Sequence, residues 1–330
     1  MTSPLKNKRF DLQGHRGARG LAPENTLPAF ALAMELGVTT LELDTAVTSD
    51  CAVVVAHDRR LNPDITRDRN GNWIAVPTRT VHSLRLSELK EFDVGRINPA
   101  SNYANRFPEQ KGMDGVSMPT LSEVFKLVHL RNTTTIRFNI ETKLSPSHPE
   151  ETPEPVEFID ILLDTIRAAQ MLQRVTIQSF DWRALHIARQ LEPEISVSYL
   201  TTQQSPGATI VPGQDSPWTD GIQHSLHGSV PRMIAAASRA FGTNPDGIIW
   251  SPHFSDIDGF LIDEAHALSI TVLPWTLNGT EEFERAIHLG VDGLITDYPD
   301  RARSVLGRLG ITLPESQAPA GGNHTSRPHE

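Results

Sequence analysis

Short apolar segments alternate with helical patterns along most of this chain, and that alternation constrains its fold more than any other feature. Strand candidates lie at 11–15, 39–48, 51–58, 134–143, 175–180, 195–200, 247–252, 271–277 and 292–299. Helical patterns lie between many of them, at 24–36, 120–130, 154–172, 181–191, 230–241, 258–268 and 280–289. Repeated strand–helix units of this kind indicate a parallel sheet with its helices outside.

Nine strand candidates are one more than a (β/α)₈ barrel needs. The excess lies at 39–58, where almost nothing separates two strands. Parallel neighbours require a long crossover, whereas antiparallel neighbours require only a tight turn. A two-residue turn at 49–50 pairs positions whose numbers sum to about 99 and places His57 opposite Glu42. Without the returning strand, eight parallel strands remain, so we predict an α/β fold of the TIM (β/α)₈ barrel type.

Three segments interrupt this pattern. Residues 59–118, rich in Pro, Asn and Gly, predict a small subdomain inserted after the second-strand hairpin. The connection 201–229 is either a lid over a site or an elongated surface loop, because long loops are often but not always functional. Residues 314–330 predict a disordered tail, which leaves 1–313 as one barrel domain that includes the insertion.

Composition excludes several classes of protein. The 330 residues carry 30 Lys+Arg and 40 Asp+Glu, a formal net charge of −10, which argues against a nucleic-acid partner. The single cysteine, Cys51, excludes an internal disulfide and a cysteine-rich metal site. Neither a membrane-spanning apolar run nor a signal-peptide core is found, so we expect no stable membrane insertion. We expect a cytoplasmic protein, or a periplasmic one if a leader has been removed, and the oligomeric state stays open.

Two carboxylates alternate with two leucines in the segment Leu41-Glu42-Leu43-Asp44. Residues i and i+2 share one face of a strand, so leucines that face outer helices direct Glu42 and Asp44 into the barrel mouth. Adjacent carboxylates repel each other, and a hard divalent cation such as Mg²⁺ or Ca²⁺ suits an all-oxygen pair. Arg or Lys from neighbouring strands could equally neutralise the pair in a purely structural role.

A third carboxylate, Glu141, shares a strand face with Lys143. The two could simply pair with each other or with Glu42. Barrel active sites gather at the carboxyl ends of the strands, however, so three carboxylates and a lysine there favour a site for a metal ion and a phosphate.

Two histidines also follow strand candidates. His15 lies in Gly14-His15-Arg16-Gly17, and His57 precedes Asp58. Histidine exchanges a proton near neutral pH, and arginine suits bidentate phosphate recognition. A lone His-Arg pair is weak evidence, but the predicted hairpin adds His57 to the same carboxylate-rich centre.

Taken together, the motifs resemble the glycerophosphodiester phosphodiesterase family from about residue 10 to residue 308. The matching motifs are His15-Arg16-Gly17, Pro23-Glu24-Asn25-Thr26, Glu42-x-Asp44, His57-Asp58, Glu141-x-Lys143 and Trp275-Thr276. The spaced set is far more specific than any one member. The insertion after His57-Asp58 and the ending GVDGLITDYP (290–299) also separate the chain from spider-venom-type phospholipases D, which resemble the barrel but lack that insertion.

The resemblance implies a TIM barrel that hydrolyses glycerophosphodiesters, such as glycerophosphocholine or glycerophosphoethanolamine, to glycerol 3-phosphate and an alcohol. It implies one divalent cation, Mg²⁺ or Ca²⁺. Carried over by position, the roles are metal ligation by Glu42, Asp44 and Glu141, acid/base catalysis by His15 and His57, phosphate binding by Arg16 and Lys143, and a pocket wall at Trp275. The resemblance further implies that Glu24 and Asn25 organise the first loop.

Several alternatives stay open at this point. The nucleophile is either water or the glycerol 2-hydroxyl, and the identity of the leaving alcohol is not fixed. A larger substrate, such as a lysophospholipid cleaved by a phospholipase D-type activity, is compatible with the apolar residues of 201–229. A rival of another class is a non-catalytic phosphate-binding barrel.

Overall fold

The computed structural model describes residues 10–131, 133–240 and 247–314, and these residues contain every predicted strand. The strands are β1 (Asp11–Gly14), β2 (Thr40–Val47), β3 (Val53–Val55), β4 (Arg137–Thr142), β5 (Val175–Ser179), β6 (Ser196–Thr201), β7 (Ile248–Pro252), β8 (Thr271–Val272) and β9 (Gly293–Thr296). β8 is shorter than predicted because Pro274 has no N–H with which to continue a strand.

All strands except β3 run parallel in the order β8-β7-β6-β5-β4-β2-β1-β9. Backbone hydrogen bonds join the two ends of this sheet: Asp292 N–H donates to Val272 O at 3.0 Å, and Ile295 N–H donates to Pro274 O at 3.0 Å. The sheet is therefore a nearly closed barrel of eight parallel strands, which confirms the predicted fold class.

Helices follow most strands. In the described residues they are α1 (Leu27–Glu35), α2 (Leu86–Leu89), α3 (Leu121–Leu130), α4 (Pro155–Ala168), α5 (Trp182–Leu191), α6 (His224–His227), α7 (Val230–Ala240), α8 (Gly259–Ala267), α9 (Thr280–Leu289) and α10 (Pro299–Arg308). Thr26 caps the start of α1, and Gly37 follows its end with a positive φ of 77°.

The hairpin β2–β3 is antiparallel as predicted, but the predicted register is wrong by one residue. Val47 pairs with Val53 and Thr45 with Val55, so paired positions sum to 100 rather than 99. Thr48 N–H donates to Ala52 O at 3.0 Å, which closes a three-residue loop. Its last residue, Cys51, is left-handed with φ 59°, a conformation typical of three-residue hairpin loops. His57 therefore does not lie opposite Glu42.

Residues 59–118 contain α2 and short 3₁₀ turns, and part of the segment has its own apolar cluster. Leu61, Val81, Leu84, Leu89 and Val94 pack there against residues of the β2–β3 hairpin and Met118. The cluster ties the segment to the strands that carry the site. Of the predicted tail, residues 315–330 lie outside the described residues, so the division into 1–313 and 314–330 stays a prediction.

The connection 201–229 holds a 3₁₀ turn at Pro217–Thr219 and the single-turn helix α6. Across the described residues, we find no helix with the length and apolar character needed to span a bilayer.

Candidate active site

The first site residues lie in a tight turn at the carboxyl end of β1. Gly17 N–H donates to Gly14 O at 3.1 Å, and a side chain on Gly14 would place its Cβ 2.1 Å from Gly17 O. Arg16 follows in the left-handed region with φ 50°. The glycines thus permit a turn that places both His15 and Arg16 at the barrel mouth.

Three carboxylates meet at the carboxyl ends of β2 and β4. Glu42, Asp44 and Glu141 are buried, and one oxygen atom from each lies within 4.8 Å of the others. The register explains this, because Asp44 pairs directly with Glu141 and inward residues alternate along β2. Leu41 and Leu43, on the other face, are fully buried in the core.

Two cations neutralise part of this cluster. Nζ of Lys143 lies 2.6 Å from Oε1 of Glu141 and 3.4 Å from Oδ1 of Asp44. Nε of Arg16 lies 3.2 Å from Oδ2 of Asp44, and Nη1 donates to Oε1 of Glu24 at 2.6 Å. The predicted phosphate-binding residues and the predicted metal ligands are therefore in direct contact.

The electrostatics of the carboxylates are unequal. Burial and the neighbouring Asp44 raise the pKa of Glu42 well above its usual range. Burial also raises the pKa of Glu141 to about 7, against the opposing effect of Lys143. Burial disfavours the charged form of Asp44 too, but Lys143 and Arg16 hold its pKa well below the usual range.

The cluster fits a hard cation. Oδ1 of Asp44 is buried and accepts no hydrogen bond from the residues that the structure describes. Buried carboxylate oxygens without enough donors are costly, and they are the ligands that Mg²⁺ and Ca²⁺ prefer. A second acidic group, His148, Glu150 and Glu151, fits less well, because Arg59 and Arg60 already occupy both oxygens of Glu151.

His15 has a carboxylate partner on its far side. Its Nδ1 lies 2.7 Å from Oδ1 of Asp297, and its Nε2 lies 3.9 Å from Oε2 of Glu42. Arg19 holds Asp297 through Nε at 2.7 Å and Nη2 at 3.0 Å. Burial, together with Arg19, lowers the pKa of His15 to about 4. The ring is therefore neutral at pH 7, with Asp297 accepting the Nδ1 proton and a lone pair on Nε2.

His57 has the same arrangement on the other side of the cluster. Its Nδ1 lies 2.8 Å from Oδ1 of Asp58, whose other oxygen accepts from Nδ2 of Asn62 at 2.8 Å. Burial lowers the pKa of His57, and the positive charges of Arg16 and Lys143 lower it further. The residue before His57, Ala56, donates its N–H to Asp44 O at 3.0 Å. The backbone next to His57 is therefore paired with Asp44 rather than with Glu42.

A single cavity of about 590 Å³ contains these groups. It is lined by both histidines, two of the carboxylates, Arg16 and Lys143, and by Trp275 as predicted. Trp275 meets Phe180 edge-on at a centroid distance of 5.5 Å, and Phe180 meets Trp218 of the 201–229 connection at 6.4 Å. One wall of the cavity is thus aromatic, and the connection packs behind it.

Several residues at the site are absent from the sequence-based set. Asp297 and Arg19 orient His15, and Nε2 of Gln178 donates to Oε1 of Glu42 at 2.6 Å. Asn25, expected only to organise the first loop, donates from Nδ2 to Oδ2 of Asp44 at 2.8 Å. Asp297 and Gln178 could have been found, because both lie at the carboxyl ends of strand candidates, as Glu42 does.

Comparisons with known proteins agree with this geometry. Residues 15–301 match the model of the glycerophosphoryl diester phosphodiesterase family. A glycerophosphodiester phosphodiesterase of Caldanaerobacter subterraneus is 28% identical over 87% of this chain and 93% of its own length.

Two solved structures are also similar. That of a glycerophosphoryl diester phosphodiesterase of Silicibacter pomeroyi, whose function is assigned only provisionally, has a TM-score of 0.80 and 32% identity, and the match covers 93% of this chain and 96% of that one. A phosphodiesterase of Oleispira antarctica, in complex with its product sn-glycerol-3-phosphate, shares the fold at a TM-score of 0.62 and 22% identity, over 90% and 96% of the two chains. The barrel, the joined motifs and the family match lead to one conclusion: this chain is an enzyme of the glycerophosphoryl diester phosphodiesterase family.

Proposed function

We propose that this enzyme hydrolyses glycerophosphodiesters to glycerol 3-phosphate and an alcohol, with one divalent cation and two histidines as its acid/base pair. One observation supports this function above the others. His15–Asp297 and His57–Asp58 lie in one cavity, on either side of a buried three-carboxylate cluster.

The charge of the cluster supports a divalent cation. Glu24, Glu42, Asp44 and Glu141 carry four negative charges when ionised, and Arg16 and Lys143, which contact this group, carry two positive charges. The two negative charges that remain would be balanced by the two positive charges of one Mg²⁺ or Ca²⁺ ion. Glu42, Asp44 and Glu141 would hold that ion, which when bound stabilises the charge that develops on the phosphate oxygens.

Arg16 and Lys143 bind the phosphate in this proposal. Both are almost fully buried beside the carboxylates, where a desolvated cation attracts an anion far more strongly than it would in water. Their positions at the carboxyl ends of β1 and β4 orient the phosphodiester between the two histidines.

The histidines move the protons. Each ring directs Nδ1 to a carboxylate, which leaves Nε2 to exchange a proton with the substrate. One histidine takes a proton at Nε2 from the nucleophile, water or the glycerol 2-hydroxyl. The other enters the step protonated and donates its Nε2 proton to the leaving alkoxide, and proton exchange with solvent then restores both rings. Asp297 and Asp58 stabilise each ring when it becomes positively charged.

Substrate size is tested by comparing choline release from glycerophosphocholine and from lysophosphatidylcholine, with glycerol 3-phosphate measured in the first reaction. We expect a higher kcat/KM for glycerophosphocholine, because the polar residues around the cluster line much of the cavity. A preference for lysophosphatidylcholine would instead assign the aromatic wall of Phe180 and Trp275 to an acyl chain. Release of no alcohol from either substrate, with the metal present, would contradict the proposed function.

A further inference from the structure

A chain of three buried amides crosses the barrel interior between two carboxylates. This amide chain consists of Gln13, Asn139 and Gln178, each at most 2% exposed. Asp11 lies at one end, and Glu42 of the carboxylate cluster lies at the other. Barrel interiors are ordinarily filled by branched apolar side chains, so polar contents of this kind require an explanation.

Every hydrogen bond along the amide chain has a defined direction. Asn139 Nδ2 donates to Oε1 of Gln13 at 2.8 Å and to Oε1 of Gln178 at 2.8 Å. Each glutamine then donates from Nε2 to a carboxylate: Gln13 to Oδ2 of Asp11 at 2.8 Å, and Gln178 to Oε1 of Glu42 at 2.6 Å. The donors therefore point outward from Asn139 in both directions.

This pattern follows from the two ends. A carboxylate only accepts, so each glutamine must direct its NH₂ group to its carboxylate and its carbonyl oxygen to the centre. The centre must then donate twice, which an asparagine NH₂ group can do. If the side-chain amide of Asn139 were reversed, its carbonyl oxygen would face the carbonyl oxygens of both glutamines. The orientation of Gln178 therefore depends on Asn139 as well as on Glu42: Asn139 is the neighbour of Glu42 across β2 and β4, but its amide bonds to the carbonyl oxygen of Gln178.

The arrangement is not optimal for stability. Oδ1 of Asn139 is buried and has no hydrogen-bond partner among the described residues. A buried network with an unsatisfied member is worse for stability than an apolar core of the same shape. A role in the site, rather than in folding alone, accounts for its presence.

The consequence at the cluster is specific. Oε1 of Glu42 accepts from Gln178, and Oε2 accepts from Arg16 N–H at 2.9 Å. Both oxygens are therefore held by donors, which fixes the carboxylate plane and leaves the remaining lone pairs for a cation. Building on the proposed function, we propose that Gln178 is a positioning residue that, oriented by Asn139, fixes Glu42 as a ligand of the divalent cation.

Metal binding to the whole chain tests the proposal without any turnover. Mg²⁺ and Ca²⁺ are titrated separately by calorimetry into chelator-stripped wild type, Gln178→Met and Asn139→Leu. Methionine retains the shape of glutamine but has no N–H donor. Loss of a hydrogen-bond partner of a metal ligand typically lowers metal affinity about 10–100-fold. We expect the Kd to rise by about tenfold or more in each variant.

Ser198→Ala is the matched control. Ser198 is also buried in the barrel and is the neighbour of Gln178 across β5 and β6, but its Oγ bonds to Oγ of Ser251 at 2.8 Å rather than to Glu42 or an amide of the chain. We expect its Kd to stay within about threefold of wild type. Thermal melting of the metal-free proteins identifies any variant that does not fold. If Gln178→Met does not fold, Gln178→Asn replaces it, because asparagine is too short to reach both partners.

The double variant distinguishes an effect of Asn139 that acts through Gln178 from two independent effects on metal binding. If Asn139 acts only through Gln178, Gln178→Met with Asn139→Leu should bind no more weakly than Gln178→Met alone, whereas independent effects would multiply. Saturating cation should also return kcat of Gln178→Met to near the wild-type value. An unchanged Kd in Gln178→Met, or multiplied effects in the double variant, would overturn the inference.

The same titration distinguishes this inference from the proposed function. Wild type that binds neither Mg²⁺ nor Ca²⁺ would contradict both the metal dependence and the role of Gln178. Wild type that binds, together with a Gln178→Met variant that binds equally well, would contradict the role of Gln178 alone.

Discussion

Each of the two site histidines has a carboxylate at the same ring nitrogen. Nδ1 of His15 faces Asp297, and Nδ1 of His57 faces Asp58. A carboxylate in this position fixes the tautomer and the ring orientation, which leaves Nε2 with a defined direction into the cavity. Two side chains separated by about forty residues thus present equivalent groups to one cavity.

Replacing either histidine should remove one proton transfer. We expect His15→Ala and His57→Ala each to lower kcat about 10²–10⁴-fold. The free energy of unfolding should change little for His15→Ala, because Asp297 keeps its bonds to Arg19 and Asn278. Steady-state kinetics and urea denaturation measure both quantities, with exposed His129→Ala as the control. Near wild-type turnover in both site variants would refute the acid/base roles.

Asp297 should matter for stability as well as for catalysis. Its side chain is 1% exposed and holds the buried Arg19. Asp297→Ala leaves that cation unpaired, which typically costs about 3–5 kcal/mol. Urea denaturation should show this loss, whereas Asp164→Ala, at an exposed ion pair with Arg167, should barely change the free energy of unfolding. Equal effects of the two substitutions would contradict the buried ion pair.

The sequence identified the residues that the structure brings together at the site better than it identified their hydrogen-bond partners. Glu42, Asp44 and Glu141 could be predicted because alternation along a strand is local. Arg19 could not, because its partner Asp297 lies 278 residues away, and only barrel closure joins them. Gln178 was missed although it lies near the carboxyl end of a strand candidate, because an uncharged amide points to a metal site less directly than a carboxylate does.

At the scale of elements, the strands were predictable and the hairpin register was not. β2 and β3 follow from apolar patterning, whereas the register depends on one residue of the turn. Cys51 adopts a left-handed conformation that lengthens the loop to three residues. Helix α10 was also missed, because no helical pattern was assigned after the strand at 292–299.

The 201–229 connection should influence substrate binding through Trp218. Its indole packs edge-on against Phe180 of the cavity wall, an interaction worth about 0.5–1.5 kcal/mol. If the connection encloses substrate, Trp218→Ala should raise KM about 2–10-fold with little change in kcat. Leu226→Ser, at a side chain of the same connection that is 74% exposed, is the control. An unchanged KM would identify the connection as a surface elongation.

At the scale of the whole molecule, the net charge and the site oppose each other. The chain carries a formal charge of −10, yet its substrate class is anionic. Arg16 and Lys143 line the cavity, so the phosphate binding that we propose would depend on local charges rather than on the overall field. In the proposed function, the three carboxylates of the cluster and the adjacent Glu24, less the two cations that contact them, leave two negative charges for one divalent ion to neutralise.

We propose that this barrel hydrolyses glycerophosphodiesters only with a cation at Glu42, Asp44 and Glu141. The most direct test measures glycerol 3-phosphate released from glycerophosphocholine before chelation, after chelation, and after Mg²⁺ or Ca²⁺ is returned. Asp44→Asn, which keeps the shape of the side chain, is the matched variant. We predict that chelation abolishes wild-type turnover and that the cation restores it in wild type but not in Asp44→Asn. Full turnover by the chelated wild type would contradict the account.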